Sequence, residues 1–257
     1  MPFRSAYLER QGSGPLRLEE RIVSDVLKQR GIPATLYSQK QIDRRSLPLG
    51  DDAFIMGAMP AMHGAMKQLG IPVPAPNDYP DSLRDFFHRR IWRSTLRDLE
   101  AQVWSGRSQP VFAKPAERRK DFTGRVFAGN DDLYFLGATS RRQVIWCSDV
   151  VDWVSEYRFY VVDDQIVGMD HYAGNESVRP SIESVQDALR TYRASGHAPA
   201  AYGIDFGVLA TGETALVEAN DGYSLGAYGI AGEPYAGVLM TRWAELLRSR
   251  PRERGAP

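Results

Sequence analysis

The sequence predicts a mixed fold in which a small α/β unit precedes a larger α+β region. Strand-like and helix-like runs alternate over residues 1–75, which is the pattern of a βαβ unit. Four prolines then crowd into nine positions, and short β-rich runs dominate from residue 111 onward. We therefore predict a βαβ-type domain at 1–75, a second domain at 76–250 and a flexible tail at 251–257.

Apolar spacing and turn residues define three strands and two helices in the first unit. Leu18, Ile22 and Val26 recur every four residues and Gly31 follows them, which predicts a helix over residues 16–30. The other predicted elements are the strands Phe3–Leu8, Ala34–Tyr37 and Ala53–Met56, and a helix from about Pro60 to Leu69 that Gly70 ends.

The second region is predicted to begin with a helix from Asp81 to about Trp104, broken once, and to continue mainly as short strands. Two hairpins follow, one around Asp163-Asp164 and one around Thr211-Gly212. Helices are predicted at Ile182–Ala194 and Tyr235–Arg248. The predicted strands are Val111–Lys114, Arg125–Ala128, Leu133–Leu136, Gln143–Cys147, Glu156–Val162, Gln165–Tyr172, Tyr202–Leu209 and Thr214–Asn220.

Charge and cysteine content limit the kinds of partner. The chain has 257 residues and equal numbers of basic and acidic side chains, 32 of each, so nothing attracts it to a nucleic acid or a membrane surface. No apolar run reaches the roughly 18 residues that span a bilayer. A single cysteine, Cys147, excludes an internal disulfide framework and suits a reducing compartment. We therefore predict a cytoplasmic protein.

The second hairpin carries a candidate metal site. If Thr211-Gly212 is a two-residue turn, Asp205 lies opposite Glu218, and Asn220 projects from the same face. Carboxylates about 5 Å apart repel each other unless a cation neutralises them, and Mg²⁺ prefers such oxygen ligands. The alternative is a solvated face on which both carboxylates find arginine partners.

A strand lysine and the loop that follows it form a candidate phosphate site. Lys114 projects from the apolar run Val111–Pro115, where an ammonium could contact phosphate oxygens. The basic run 116–124, which contains Lys120 and closes in Gly124, could fold over phosphates. The alternative for this run is a solvated basic turn.

Two further segments suit nucleotide binding. The strand Glu156–Val162 alternates strictly and places Arg158 where it could clamp a phosphate, or could instead pair with Glu156 or Asp205. The strand that leads into Ser148-Asp149 could present backbone groups to an adenine edge and a carboxylate to ribose hydroxyls.

Together these motifs resemble the ATP-grasp superfamily of ATP-dependent carboxylate–amine ligases, in particular its small clade found in phages and natural-product gene clusters. The resemblance implies two α+β subdomains, at about 76–147 and 148–250, that clasp ATP after a small Rossmann-like domain. The matching pieces are, in order, Phe112-Ala113-Lys114-Pro115, Asp121-Phe122-Thr123-Gly124, Glu156-Tyr157-Arg158, Gly203-Ile204-Asp205-Phe206-Gly207-Val208 and Val217-Glu218-Ala219-Asn220.

The resemblance also implies roles for single residues. Lys114 would contact the nucleotide phosphates, and Arg158 would face phosphate or the acyl-phosphate intermediate. Lys120 would supply a basic group from the phosphate loop, as some of these families require. The implied adenine-binding connection is Ser148, Asp149 and Val150, and the implied Mg²⁺ ligands are Asp205, Glu218 and Asn220.

The predicted function is that of an ATP- and Mg²⁺-dependent ligase that joins an amino acid or peptide carboxylate to an amine. The alternatives are a kinase that stops at phosphoryl transfer and a nucleotide-binding module without turnover. The substrates are predicted to be small molecules or peptides, and a homodimer is left open. Candidates for gripping a substrate carboxylate are Arg89, Arg90, Arg93 and Arg179.

Overall fold

A computed structural model of the chain describes residues 3–106, 109–117 and 122–251. Lys120 and most of the predicted tail lie outside these ranges. Over the described residues, every helix is too short or too polar to cross a bilayer.

Three parallel strands form the first sheet, in the order β2-β1-β3. All three predicted strands of this unit and both of its predicted helices are confirmed, but the short helix α2 was not predicted. It begins at a capping box of Ser38 and Gln41, a local polar signal without apolar periodicity. The elements are β1 Ser5–Glu9, α1 Leu18–Gln29, β2 Ala34–Tyr37, α2 Gln39–Asp43, β3 Ala53–Met56 and α3 Met59–Leu69.

The second sheet is antiparallel and has the order β4-β7-β5-β6. Its central strands β7 and β5 pair so that Lys114 lies opposite Trp146 and Phe112 lies opposite Ser148. This register places Lys114 and Ser148 in one sheet, close together along neighbouring strands. The elements are β4 Ile91–Thr95, α4 Leu96–Trp104, β5 Val111–Pro115, β6 Arg125–Phe127 and β7 Val144–Asp149.

The predicted helix from Asp81 to Trp104 is wrong over its first part. The chain forms a 3-10 helix at Asp81–Phe86, then strand β4, and only then the helix α4. Pairing with β7 along the whole of β4 overrides the helical spacing of the apolar residues. The hydroxyl of Thr95 accepts from the Asp98 N–H and so begins α4 directly after the strand.

The predicted strand Leu133–Leu136 is also wrong, because Asn130–Leu136 is a 3-10 helix. The carboxylate of Asp132 accepts hydrogen bonds from the backbone N–H groups of Ala128 and Gly129, at 2.7 and 3.1 Å. These bonds turn the chain at the position where a strand would have to continue.

The third sheet is antiparallel and has the order β11-β10-β8-β9. Asp163 and Asp164 connect β8 to β9 with positive φ angles of 44° and 67°, so the predicted turn is confirmed. A short 3-10 helix, Gly222–Ser224, follows β11. The elements are β8 Trp153–Val162, β9 Gln165–Gly174, α5 Ile182–Ala194, β10 Ala201–Leu209, β11 Thr214–Asp221 and α6 Gly232–Arg248.

The largest apolar core joins the first sheet to the last helix. Side chains of β1, β3, α1 and α3 pack with α6, and the Trp243 indole donates to the Ala53 carbonyl at 2.9 Å. This core therefore crosses the predicted boundary between residues 75 and 76. The predicted inward-facing residues of α6, which are Leu239, Trp243, Leu246 and Leu247, are all buried.

A second core lies between α5 and one face of the third sheet. Phe159 and Phe206 are fully buried there, with ring centroids 6.0 Å apart in an edge-to-face arrangement. Ile204 and Leu216 belong to the same core. Because side chains alternate along a strand, the neighbours of these residues point to the opposite face of the sheet.

Candidate functional site

The hairpin of β10 and β11 places Asp205 opposite Glu218, as predicted, although its turn differs from the prediction. The Leu209 N–H donates to the Glu213 carbonyl, which leaves a three-residue loop with Gly212 at a φ of 94°. This loop shifts the pairing by one residue near the turn. A β-bulge in β11 then restores the predicted pairing at Asp205.

Glu218 is the centre of a contact network between the second and third sheets. Its carboxylate accepts from the Lys114 ammonium at 2.5 Å and from the Asn220 amide at 3.0 Å. Burial alone would raise the pKa of the Glu218 carboxyl, but these two donors reverse the effect and hold it below its usual value. Glu218 is therefore ionised at neutral pH.

Lys114 is nearly enclosed, with 12% of its side chain exposed. Its ammonium contacts the Asp78 carboxylate at 2.9 Å as well as Glu218, and it lies 4.5 Å from the centroid of the Tyr79 ring. Burial would lower the pKa of this amine, but the two carboxylates raise it instead. The strand lysine predicted to contact phosphate thus carries a positive charge.

Arg158 forms a two-pronged ion pair with Asp205 across neighbouring strands. Both donor–acceptor distances are 2.8 Å, and both side chains are at least nine-tenths buried. Burial and the nearby Glu218 and Glu156 carboxylates raise the pKa of Asp205 despite its arginine partner. Of the alternatives for Arg158, this structure shows the pairing with Asp205.

Aromatic side chains border Arg158 on the same face. The Tyr172 hydroxyl donates to the Glu156 carboxylate at 2.9 Å, and its ring stacks on the Tyr228 ring at 5.1 Å and 19°. The Arg158 guanidinium lies 5.0 Å from the centroid of Tyr228. Tyr228 is about half exposed, so this stack forms the solvent-facing wall beside the ion pair.

Two glycines flank Asp205 because larger residues lie across the strand at both positions. A Cβ at Gly207 would be 2.5 Å from the Trp153 ring and 2.6 Å from the Ser155 carbonyl oxygen. A Cβ at Gly203 would be 2.6 Å from Leu225. The spacing glycine-x-aspartate-x-glycine in the sequence therefore reflects close packing around the carboxylate.

The residues suggested for adenine binding lie at the end of β7. Ser148 is buried, whereas Val150 is 43% exposed. The Asp149 carboxylate accepts from the backbone N–H and the guanidinium of Arg90, at 3.1 and 3.2 Å. The structure therefore engages Asp149 with Arg90, and an adenine-binding role for these three residues stays a prediction.

The structure brings most predicted site residues into one place. Lys114, Asp205, Glu218, Asn220 and Arg158 are linked by the contacts above, whereas Lys120 lies outside the described residues. The predicted alternative of a solvated face is wrong, because Asp205 is 2% exposed, although its arginine partner is present.

Sequence reasoning missed Asp78, which neutralises Lys114 from the proline-rich segment. The Asp78 carbonyl also accepts from the Ala219 N–H at 2.8 Å, so this segment runs along the open edge of β11. The aspartate follows a proline-rich run with no periodicity of its own, and no local signal distinguishes it from a loop residue.

The oxygen atoms of Asp205, Glu218 and Asn220 fit a magnesium ion. Within the described ranges, no three His, Cys, Asp or Glu side chains cluster as a complete metal cage. Mg²⁺ is commonly held by only one or two carboxylates together with waters and substrate phosphates. Two buried carboxylates and a neighbouring amide meet that requirement.

A cavity of about 620 Å³ adjoins this network at Asn220. Its walls come from α3, the proline-rich segment, α5 and the end of β11. At one wall, the His63 ring nitrogen Nε2 lies 2.8 Å from the Tyr223 hydroxyl. The cavity also contacts Glu117, Tyr192, Tyr202 and Asp221.

Solved structures with low sequence identity share the fold. A D-alanine–D-alanine ligase from Bacillus anthracis aligns with a TM-score of 0.57 at 13% identity, over 96% of this chain and 98% of its own. A RimK domain ATP-grasp protein from Sphaerobacter thermophilus aligns with a TM-score of 0.52 at 13% identity, over 96% and 99%. The macrocyclase MdnC from Microcystis aeruginosa, bound with precursor peptide MdnA, gives 0.50 at 10%, over 92% and 99%.

Sequence comparison identifies the family. No curated protein sequence matches the chain. A profile described as an ATP-grasp domain, the second family of its clade, matches residues 86–238. The match is more than half of the chain and includes every described member of the network around Glu218 except Asp78 and Tyr79. The chain therefore has the ATP-grasp fold and belongs to this family of ATP-grasp domains.

Proposed function

We propose that the protein is an ATP- and Mg²⁺-dependent ligase, which activates a substrate carboxylate as an acyl phosphate and joins it to an amine. One observation carries the proposal: Lys114 from the second sheet meets Glu218 of the third sheet, next to the pair of Arg158 and Asp205. Two buried cations facing two buried carboxylates suit a ligand that combines phosphates with a divalent cation.

In this proposal, Asp205, Glu218 and Asn220 hold Mg²⁺, which neutralises charge on the transferred phosphate when bound. Phosphate oxygens replace Glu218 as the partner of Lys114, while Asp78 keeps the ammonium in place. Arg158 lies beside the metal ligands and carries a positive charge that stabilises the developing negative charge. Lys120 and the connection Ser148–Val150 complete the proposed nucleotide contacts.

The proposed reaction has two steps. A substrate carboxylate oxygen attacks the γ-phosphorus, the bond to the leaving oxygen breaks, and ADP departs. The amine nitrogen then attacks the acyl carbon and loses a proton, and phosphate leaves with the electron pair of the broken C–O bond. Burial of Lys114 and Arg158 keeps water away from the acyl phosphate and strengthens both electrostatic contacts.

The proposed substrates are an amino acid or peptide carboxylate and an amine. The structural relatives include a protein named as a D-alanine–D-alanine ligase and a macrocyclase bound with a peptide. The cavity beside Asn220 could receive one substrate next to the transferred phosphate, because 620 Å³ is ample for an amino acid or a short peptide. A cytoplasmic location is part of the proposal.

Product analysis tests the proposal against the two alternatives. Purified protein is incubated with Mg²⁺, ATP and pools of amino acids and peptides, and ADP, phosphate and coupled products are measured. A ligase releases ADP and phosphate together only when both substrates are present. A stable phosphorylated product would instead indicate a kinase, and the absence of acceptor-dependent ADP release would indicate a binding module.

Two substitutions test the site itself. Glu218→Ala is expected to abolish Mg²⁺-dependent ATP binding, and Lys114→Ala to weaken ATP binding by about tenfold or more. Nucleotide-induced thermal shift measures both effects. Glu183→Ala and Lys67→Ala, at exposed positions on α5 and α3, are matched controls. Unchanged ATP binding in Glu218→Ala would refute the metal assignment.

A further inference from the structure

The β-bulge in β11 decides which face Glu218 occupies. Near the turn, Thr214 pairs with Val208 and Leu216 pairs with Phe206, but the next pair is Asp205 with Glu218. Val217 is the extra residue. Because side chains alternate along a strand, one inserted residue moves every later side chain of β11 to the other face.

Without the bulge, the pairing near the turn would continue and put Val217 opposite Asp205. Glu218 would then lie opposite Ile204, which is fully buried in the apolar core beneath α5. A carboxylate at that position would have no cation partner. The contacts between Lys114, Glu218 and Asn220 therefore all depend on one extra residue.

Arg89 contacts the bulge directly. Its Nη1 donates to the Leu216 carbonyl at 2.6 Å, and its Nη2 donates to the Val217 carbonyl at 3.1 Å. Successive carbonyls of a regular strand point to opposite edges, so a single guanidinium reaches both only where the strand is bulged. β11 is the edge strand of its sheet, and these donors satisfy backbone groups left outside the ladder.

Other contacts fix Arg89 in this position. The same Nη1 donates to the Phe87 carbonyl at 3.1 Å, and the guanidinium lies 5.1 Å from the centroid of the Trp153 ring. The preceding residue, His88, has a φ of 49°, an unfavourable angle that turns the chain toward β11. Arg89 was a sequence candidate for gripping a carboxylate, but it binds backbone carbonyls instead.

We propose that Arg89 is a positioning residue, which locks the bulge and thereby holds Glu218 on the face of Asp205 and Lys114. The inference rests on the proposed function, because Glu218 is a proposed ligand of Mg²⁺. Arg89 acts through the backbone of β11 and needs no contact with nucleotide or substrate. The sequence alone could not assign this role, since it depends on a bulge that the sequence did not reveal.

The test combines removal of the guanidinium with removal of the residue it supports. Arg89→Ala is expected to lower the affinity for Mn²⁺ and a non-hydrolysable ATP analogue by about tenfold or more, as loss of supporting contacts does at metal sites. Arg89→Lys should fall between Arg89→Ala and the wild type, because an ammonium lacks the planar fork. Arg84→Ala, which removes a guanidinium paired with exposed Asp81, is the matched control.

Deletion of Val217 provides the decisive arm. It lets Glu218 follow Leu216 in regular pairing and lie opposite Asp205 without a bulge. In the Arg89→Ala background, the deletion is therefore expected to restore most of the lost affinity. Failure of this rescue in a folded variant, or unchanged affinity in Arg89→Ala alone, would overturn the proposal and, in the first case, favour direct contact of Arg89 with the ligand.

A ligand-free measurement separates this proposal from the proposed function. Lys114→Met removes the partner of Glu218 and should lower the melting temperature more in the wild type than in Arg89→Ala, where Glu218 no longer faces Lys114. Equal shifts in both backgrounds would refute the positioning role. If the wild type binds no nucleotide, the proposed function fails, and this comparison still decides the role of Arg89.

Discussion

The same four strands present two different faces, an aromatic core beneath α5 and a charged network facing Lys114. Phe206 and Asp205 are adjacent in β10 and are both at most 2% exposed. Phe206 is stabilised by removal of apolar surface from water, which needs no particular partner. Asp205 tolerates burial only because Arg158 neutralises it, so the charged face is held by specific pairs. We therefore expect the two faces to respond differently to substitution.

The largest effect is expected from Phe206→Ala on the apolar face. Loss of a fully buried ring that packs edge-to-face on Phe159 should lower the free energy of unfolding by about 3–5 kcal/mol. Urea denaturation measures the change. Val126→Ala, at an apolar side chain that is 39% exposed, is the control and should change the value by less than about 0.5 kcal/mol. A loss of under about 1 kcal/mol in Phe206→Ala would contradict the assigned core.

On the charged face, single and paired substitutions should differ in sign or size. Asp205→Ala leaves a buried guanidinium without its partner and should cost about 3 kcal/mol or more. The double variant Arg158→Met with Asp205→Leu removes both charges and should recover most of that loss. Denaturation and nucleotide binding are measured together, because we expect stability to return without ATP binding. Additive losses in the double variant would show that the pair is not coupled.

A steric change next to Asp205 should have a smaller effect. Gly207→Ala places a methyl group against the Trp153 ring and the Ser155 carbonyl oxygen, and should cost about 1–3 kcal/mol. Gly129→Ala is the control, because no heavy atom lies within 4 Å of the added carbon and the backbone is extended there. Thermal melting compares the two variants, and equal melting temperatures would argue against close packing at Gly207.

The smallest expected effect comes from Cys147, a buried titratable group without a charged partner. Burial raises the pKa of its thiol to about 12, so the folded protein keeps it neutral where the unfolded chain ionises it. Its contribution to stability is complete below the ordinary thiol pKa of about 8.5 and is lost as pH rises toward 12.

Two measurements check the thiol. At about pH 8, a thiol reagent should modify Cys147 only after denaturation. The stability difference between the wild type and Cys147→Ala should shrink as pH rises above about 9, because only the wild type ionises a thiol on unfolding. Rapid labelling of the folded protein under the same conditions would contradict the buried, neutral state.

The sequence predicted elements where local signals agreed with the final packing. Ala34–Tyr37, Ala53–Met56 and Ile182–Ala194 have the predicted bounds, because turn residues and apolar spacing coincide there. Ile91–Thr95 was missed because its strand state depends on β7, which lies far along the chain at Val144–Asp149. Local spacing carries no information about that pairing.

The site shows the same limit at the level of single residues. Opposed carboxylates in a hairpin were predictable from alternation, and Asp205 does lie opposite Glu218. The counting succeeded because two errors cancelled, a three-residue loop and a bulge at Val217. Partners contributed by distant segments, such as Asp78 at Lys114 and Arg89 at the bulge, carried no signal that sequence spacing could reveal.

The contact between Trp243 and Ala53 has a consequence for synthesis of the chain. The two residues are 190 positions apart, and α6 completes the apolar core of the first sheet. A ribosome therefore produces β1 to β3 long before the helix that covers them. We expect the emerging chain to expose that apolar surface throughout translation of the second and third sheets, so that stalling before α6 yields a species recognised by chaperones.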